Sequence, residues 1–345
     1  MNFDFLKLKP EIFGLDISDR SLKLVKVNSK KDIVIFNEIA IEDSIIEKGE
    51  VQDVDTLAQK IKELISKTSG LKTKHVVVSL PEEKSFIRVM QLPKMPIQET
   101  KKAVLFEAEN YIPFSIENVY FDSQILKNIT SKKHTEVLLA ALPKTTVDPY
   151  VEACKLANLI PVSFETESQA TARAVIGGGR TKDPIFIVDI GATCSNFSVF
   201  QGDGLRFASF IPFSTIEYTQ AIADAMKVNF KKAEELKKRH GLENIDGVGS
   251  KVFKALLNPV SDFVNHLSKH IDYYQSNSKQ KITGPKLILC GGGANLKGLD
   301  SYLSDKMSVQ AIKSDPLVNL NKSKIPEKQL LTYTTAIGLA LRGND

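Results

Sequence analysis

The stretch Ile185–Phe200, IFIVDIGATCSNFSVF, decides how the chain is read. An apolar run, Ile185–Val188, carries Asp189 to its end; Gly191-Ala192-Thr193 follow, and alternation resumes at Phe197 and Val199. That pattern is a strand, a tight turn and a returning strand. A carboxylate at a strand end beside a Gly-opened turn suits a hydrated metal ion, and the turn's backbone N–H groups suit phosphate oxygens. Ile12–Val27, IFGLDISDRSLKLVKV, repeats the pattern around Asp16. One such turn is ordinary turn chemistry. Two aspartates 173 residues apart in a chain of 345 predict two similar halves, each offering an Asp-bearing turn to a shared cleft.

Composition sets the frame. With 42% hydrophobic and 25% charged residues over 345 positions, the chain reads as globular, with room for two or more domains. No apolar run approaches the ~18–20 residues of a membrane span. The opening MNFDFLKLKP has no signal-peptide core; its alternating Phe3, Phe5 and Leu8 predict a short edge strand or arm. Cys154, Cys194 and Cys290 are scattered and form no CxxC, as expected of a reduced, cytosolic compartment. The formal charge of +5 is dispersed: Lys231-Lys232 and Lys237-Lys238-Arg239 alternate with Glu234 and Glu235, as on solvated helix faces. Nucleic acid is not an expected partner, because basic and aromatic residues do not interleave. A mild attraction to an anionic membrane surface is compatible with this charge.

Taken in order, residues 1–81 read as the first part of half one: three strands, an amphipathic helix through Leu57, Ala58, Ile61 and Leu64, and a buried strand at Val76–Val78. Residues 82–161 read as an inserted small α/β subdomain of strand, helix, strand, strand and helix, with a Lys/Ser/Asn-rich turn from Lys127 to His134. Residues 162–182 complete the first half with a helix from Glu165 to Val175 and a Gly177–Gly179 link. Residues 183–213 open the second half. Residues 214–281 form a helical stretch bordering the cleft, and residues 282–345 complete the half with the strand Lys286–Cys290, Gly291-Gly292-Gly293 and an Ala/Gly-rich closing helix.

Standard nucleotide-binding motifs do not fit this frame. GxGxxG fails at Leu296, and the Walker pattern fails because Gly298 precedes Leu299-Asp300. Three glycines after a strand still let backbone approach a flat or anionic ligand. His266 and His270 have chelating spacing but no third ligand. No nucleophile elbow, HExxH motif or Cys/His pair stands out, and Cys194 reads as a small packed residue.

Taken together, the Asp16 turn, the Asp189 turn, the charged helix and the triple glycine resemble the actin-like ATPase superfamily. The stretches LPKMPIQETKKAVLFEAENYIPFSIENVYFD (Leu92–Asp122), LAALPKTTVDPYVEACKLANLIPVSFETESQATARA (Leu139–Ala174) and FKKAEELKKRHG (Phe230–Gly241) resemble the PilM family of type IV pilus assembly proteins. The division protein FtsA has a related fold and insert position, but the ending ALRGND lacks its amphipathic membrane-targeting helix. The resemblance implies a duplicated actin-like α/β fold that binds ATP with Mg²⁺. Asp16 and Asp189 would hold the metal through water, and Ser18, Ser21 and Lys23 would meet phosphates. Gly191, Ala192 and Thr193 would face phosphate with their backbone. Glu234 and Lys237 would border ribose and adenine, and Gly291, Gly292 and Gly293 would lie against the adenosine. Ser18 stands where the family usually has Gly, so its side chain could crowd a phosphate.

The resemblance further implies recruitment to the inner face of the cytoplasmic membrane and an extended partner, the cytoplasmic N-terminal peptide of a PilN-like bitopic membrane protein. Ile112, Phe114 and Phe121 are the candidate groove residues, and the pilus motor ATPases are further candidate partners. Sluggish or absent hydrolysis is expected. The second turn offers no acid beyond Asp189, and Asn196 cannot act as a base at neutral pH. A phosphotransferase on the same fold and an FtsA-like filament former are the alternatives.

Overall fold

The computed structural model describes residues 10–126, 134–278, 282 and 284–343. The expected N-terminal arm through Leu8 and most of the turn beginning at Lys127 lie outside them. Three antiparallel strands, β1 (Ile12–Ile17), β2 (Ser21–Val27) and β3 (Ile33–Ala40), open the chain. A two-residue hairpin, β4 (Ile46–Glu47) and β5 (Glu50–Val51), leads to helix α1 (Val54–Ser66), capped by Asp53 through the Thr56 N–H at 2.9 Å. Strand β6 (His75–Leu80) then pairs parallel to β1.

The insert follows: β7 (Phe86–Pro93), α2 (Ile97–Tyr111), β8 (Val119–Leu126) and β9 (His134–Pro143), forming a sheet ordered β7-β9-β8. Met90, Val104, Ala108, Ile112 and Val137 make its core. The insert ends at Pro143, not at Pro161. Helix α3 (Lys144–Leu156) buries Tyr150, Ala153 and Cys154 in the core of the first half, and β10 (Ile160–Thr166) joins the first sheet parallel to β6. β10 escapes sequence detection because it is an edge strand: Ile160 and Val162 face outward, and Pro161 sits at a bulge.

After α4 (Glu167–Val175), the second half repeats the first. Strands β11 (Thr181–Ile190), β12 (Ser195–Gly202) and β13 (Gly204–Ile211) form the meander; α5 (Thr215–Met226), α6 (Phe230–His240) and α7 (Val248–Asn277) intervene. Strand β14 (Lys286–Cys290), α8 (Leu299–Met307), β15 (Gln310–Lys313) and α9 (Thr334–Arg342) complete it. The sheet orders are β3-β2-β1-β6-β10 and β13-β12-β11-β14-β15, the same topology twice, as the half-chain period predicts. The registers agree too: Asp16 pairs with Lys23, and Asp189 with Asn196.

Between the sheets cross α4 and α9. A Cβ on Gly338 would stand 1.8 Å from the Ala170 carbonyl oxygen, and one on Gly14 would stand 2.5 Å from that of Ala336. Only glycine permits these approaches, which explains the small residues of the closing helix. The insert leans on the second half through a buried ion pair, Arg206–Glu136 at 2.5 Å, and through Arg88, whose guanidinium donates to the Tyr273 hydroxyl at 2.9 Å. Among the described residues, no helix is long and apolar enough to cross a membrane.

Candidate functional site

In an open parallel sheet, ligands gather beyond the carboxyl ends of the strands. Here that edge belongs to both sheets at once. β1 ends near Asp16, β10 is followed directly by Glu167, β11 ends near Asp189, and β14 is followed by Gly291. They line one cavity of about 870 Å³, and all thirteen expected nucleotide residues are in its wall, from Asp16, Ser18, Ser21 and Lys23 to Gly291, Gly292 and Gly293.

On the first-half side, the Asp16 carboxylate accepts from the Ser79 hydroxyl at 3.1 Å, and the Ile17 N–H donates to that hydroxyl oxygen at 2.8 Å. Lys23 is 7% exposed as a residue; its ammonium stands 3.7 Å from Asp16 and donates to the Ser21 hydroxyl at 2.7 Å. The seven-residue spacing makes Lys23 the cross-strand neighbour of Asp16, so the charges share one face. The Ser18 hydroxyl donates to the Ser21 carbonyl at 3.0 Å, and the Ser18 N–H bonds the same oxygen at 3.1 Å. The side chain that departs from the family pattern is thus tied into its own turn.

On the second-half side, Asp189 accepts from the hydroxyls of Thr171 and Thr335, each at 3.2 Å. Burial and the nearby Asp16 carboxylate raise its pKa to about 6. The turn after it is tight, the Gly191 N–H donating to the Cys194 carbonyl at 2.9 Å. Burial pushes the Cys194 thiol well above its ordinary range, which suits a packed residue and not a nucleophile.

The third wall is helical. Glu234 and Lys237 pair at 2.6 Å, and the Thr219 hydroxyl lies 2.7 Å from both charged groups. Lys237 also donates to the Thr215 carbonyl at 3.2 Å and is 9% exposed, so this is no loose surface pair. Burial lowers the Lys237 pKa. For Glu234 burial acts upward, but the bonds from Lys237 and Thr219 outweigh it and hold the carboxyl low.

Glu167 is the residue that sequence reasoning missed. It lines the cavity from the start of α4, and the Asn196 amide donates to its carboxylate at 2.5 Å. Burial, then the charges of Asp16 and Asp189, push its pKa well up. A Glu in a first helical turn is usual dipole chemistry and draws no notice in a sequence. Recognising β10 as a parallel strand would have placed Glu167 at the ligand edge.

The wall fits a nucleotide with a hydrated cation. A Cβ on Gly291, whose φ is +77°, would lie 2.2 Å from the Asp189 carboxylate, whereas one on Gly292 meets nothing nearer than Thr332 at 3.9 Å. Bare backbone therefore faces the cavity there. Among the described residues no three His, Cys, Asp or Glu side chains close on one point. The three groove candidates are not alike. Ile112 is 5% exposed and belongs to the insert core, Phe121 packs against that core, and Phe114 is open at 45%.

Residues 14–344 match the family model described as Type IV pilus assembly protein PilM. The chain belongs to the PilM family. The solved PilM-PilN type IV pilus biogenesis complex is similar over 98% of this chain and 100% of that one, at 27% identity and a TM-score of 0.81. The ethanolamine utilization protein EutJ from Carboxydothermus hydrogenoformans matches at 15% identity over 97% of this chain and 90% of its own, with a TM-score of 0.62. MreB5 of Spiroplasma citri, solved bound to ADP, matches at 12% identity, 96% and 95% coverage, and a TM-score of 0.59. The last two establish the actin-like fold alone. Membership in PilM favours pilus assembly over the phosphotransferase and filament-former alternatives.

Proposed function

We propose that this PilM-family chain is a cytoplasmic, nucleotide-responsive scaffold of the type IV pilus assembly platform, holding ATP with Mg²⁺ between its halves. The observation that carries the nucleotide reading is the convergence of Asp16, Lys23, Asp189, Glu234, Lys237 and Gly291–Gly293 on one cavity. Asp16 and Asp189 hold the metal through water, and the Asp189 turn and Lys23 receive phosphate. The Glu234–Lys237 pair and the triple glycine border the nucleoside. The bound metal supplies charge neutralisation and geometry for the phosphates.

Turnover is slow on this reading. Glu167 supplies the acid that the second turn lacks, but a carboxyl pushed up by burial and by two neighbouring carboxylates resists ionising and accepts a water's proton poorly. The partner is the cytoplasmic N-terminal peptide of a PilN-like membrane protein, and through it the scaffold is recruited to the inner face of the cytoplasmic membrane. Support comes from the similarity to the PilM-PilN complex and from apolar surface left open on the insert, with Phe114 accompanied by Leu105 and by Phe106 at 79% exposure. Calorimetric titration with Mg-ATP tests the nucleotide reading: the wild-type chain binds, and Asp16→Ala loses Mg²⁺-dependent affinity. Equal binding by the two proteins refutes it. Titration with the partner peptide tests the scaffold reading separately.

A further inference from the structure

Helix α4 carries Glu167 into the cavity, yet its first turn is capped from elsewhere. Thr166, the N-cap residue, makes no side-chain cap bond, and its hydroxyl oxygen is buried without a partner. The Ser168 N–H donates instead to a carboxylate oxygen of Glu82 at 3.1 Å, from a residue 86 positions earlier. Such a helix-end N–H needs an acceptor, and a carboxylate is a strong one there.

Glu82 is 4% exposed and is separated from the end of β6 by Pro81 alone. It opens the short turn Glu82–Lys84, held because the Ser85 N–H and hydroxyl both reach the Glu82 carbonyl at 2.9 Å. β7, the edge strand of the insert, begins one residue later. Glu82 also lines a second cleft of about 570 Å³ between β7 and β13, where Arg88 reaches Tyr273. One buried carboxyl thus touches the helix that bears Glu167 and the strap that aims the insert.

We propose that Glu82 is the positioning residue that couples the nucleotide cavity to the inserted sheet. This inference rests on the nucleotide reading above. A ligand that shifts Glu167 shifts Ser168 with it, because they are consecutive in one helical turn. Glu82 then follows or lets go, and either response re-aims β7 and changes the width of the second cleft. By linkage, whatever binds the insert and alters the strap changes nucleotide affinity by the same factor.

Hydrogen exchange on the whole chain, with Mg²⁺ and a non-hydrolysable ATP analogue as the probe, tests the coupling. In the wild-type chain the analogue changes exchange in the first turn of α4 and in Phe86–Arg88 of β7. In Glu82→Ala the analogue still binds, but the β7 response disappears; Glu82→Gln keeps a carbonyl acceptor for the Ser168 N–H and retains the response. A merely structural role moves exchange equally with and without nucleotide and leaves the difference intact. Should Glu82→Ala fail to fold, Glu82→Asp, one methylene short of Ser168, serves as the second loss variant. A β7 response that survives in the loss variant overturns the coupling, as does a wild-type chain that binds the analogue with β7 silent. A wild-type chain that binds no analogue overturns the nucleotide reading, and the coupling with it.

Discussion

Gly291 and Gly292 are neighbours with opposite expectations, which makes them a matched test of the cavity. Gly291 has φ +77° and ψ 172°, a region reserved almost wholly for glycine. Holding an alanine there costs about 1–3 kcal/mol. Its Cβ would also lie 2.2 Å from Asp189, 2.6 Å from the Ile190 carbonyl oxygen and 2.9 Å from the Ile190 nitrogen. The backbone atoms cannot retreat within a paired strand, so Asp189 yields, and its bonds from Thr171 and Thr335 weaken. Hydrogen bonds to a charged group contribute ~1.5–3 kcal/mol each, so partial loss adds about 2 kcal/mol. Gly291→Ala therefore loses about 3–5 kcal/mol of stability, and a displaced Asp189 costs roughly 100-fold or more in Mg-ATP affinity. Gly292→Ala makes only an ordinary contact with Thr332 at 3.9 Å and stays within about 0.5 kcal/mol of wild type in stability. Its methyl projects toward the proposed adenosine, so affinity falls while the fold is unchanged. Urea denaturation and calorimetric titration with Mg-ATP read both quantities. A Gly291→Ala chain as stable as wild type and with wild-type affinity refutes the geometry; Gly292→Ala with wild-type affinity refutes the placement of the nucleoside.

Three further outcomes are expected. Burial raises the Glu82 carboxyl from 4.5 to about 7, against the weaker downward pull of its hydrogen bonds, so the folded chain binds this proton more tightly than the unfolded one. The resulting stabilisation is fully present below pH ~4.5 and is lost as pH rises through ~7, a swing of up to ~3 kcal/mol. Denaturation midpoints of Glu82→Gln should lack that fall between pH 5 and 8, and parallel profiles contradict it. Lys237→Ala leaves the Glu234 carboxylate to Thr219 and the exposed Lys238 and should lower stability by about 1–3 kcal/mol, less than the loss from breaking a fully buried pair because Glu234 is partly exposed and keeps a second cation. It should also weaken Mg-ATP binding, measured by melting and titration. Wild-type ATPase turnover should lie below about 1 s⁻¹. It should rise with pH as Glu167 ionises and drop ~100-fold in Glu167→Gln with affinity retained; a rate indifferent to that substitution removes Glu167 from the chemistry.

Much of this is legible in the sequence. Two Asp-bearing turns half a chain apart implied the duplicated sheets, because a strand-turn-strand pattern is written locally in apolar alternation and small residues. The seven-residue spacing from Asp16 to Lys23, and again from Asp189 to Asn196, already determines cross-strand partners once a tight hairpin is granted. Gly291–Gly293 and the Glu234–Lys237 spacing were equally local. What only tertiary structure decided is which distant groups meet. Pro161 and the outward Ile160 and Val162 hide β10, so Glu167 could not be assigned to the ligand edge, nor α3 and β10 to the first half. Ile112 lies in a core, and Phe114 does not, because a sheet folds against one face of α2 and leaves the next turn of chain outside. The contact of Glu82 with Ser168 spans 86 positions, and no periodicity records it. Local pattern sets strands and turns through backbone sterics and burial; long-range neighbours depend on how separate elements pack, and that is settled only when the whole chain closes.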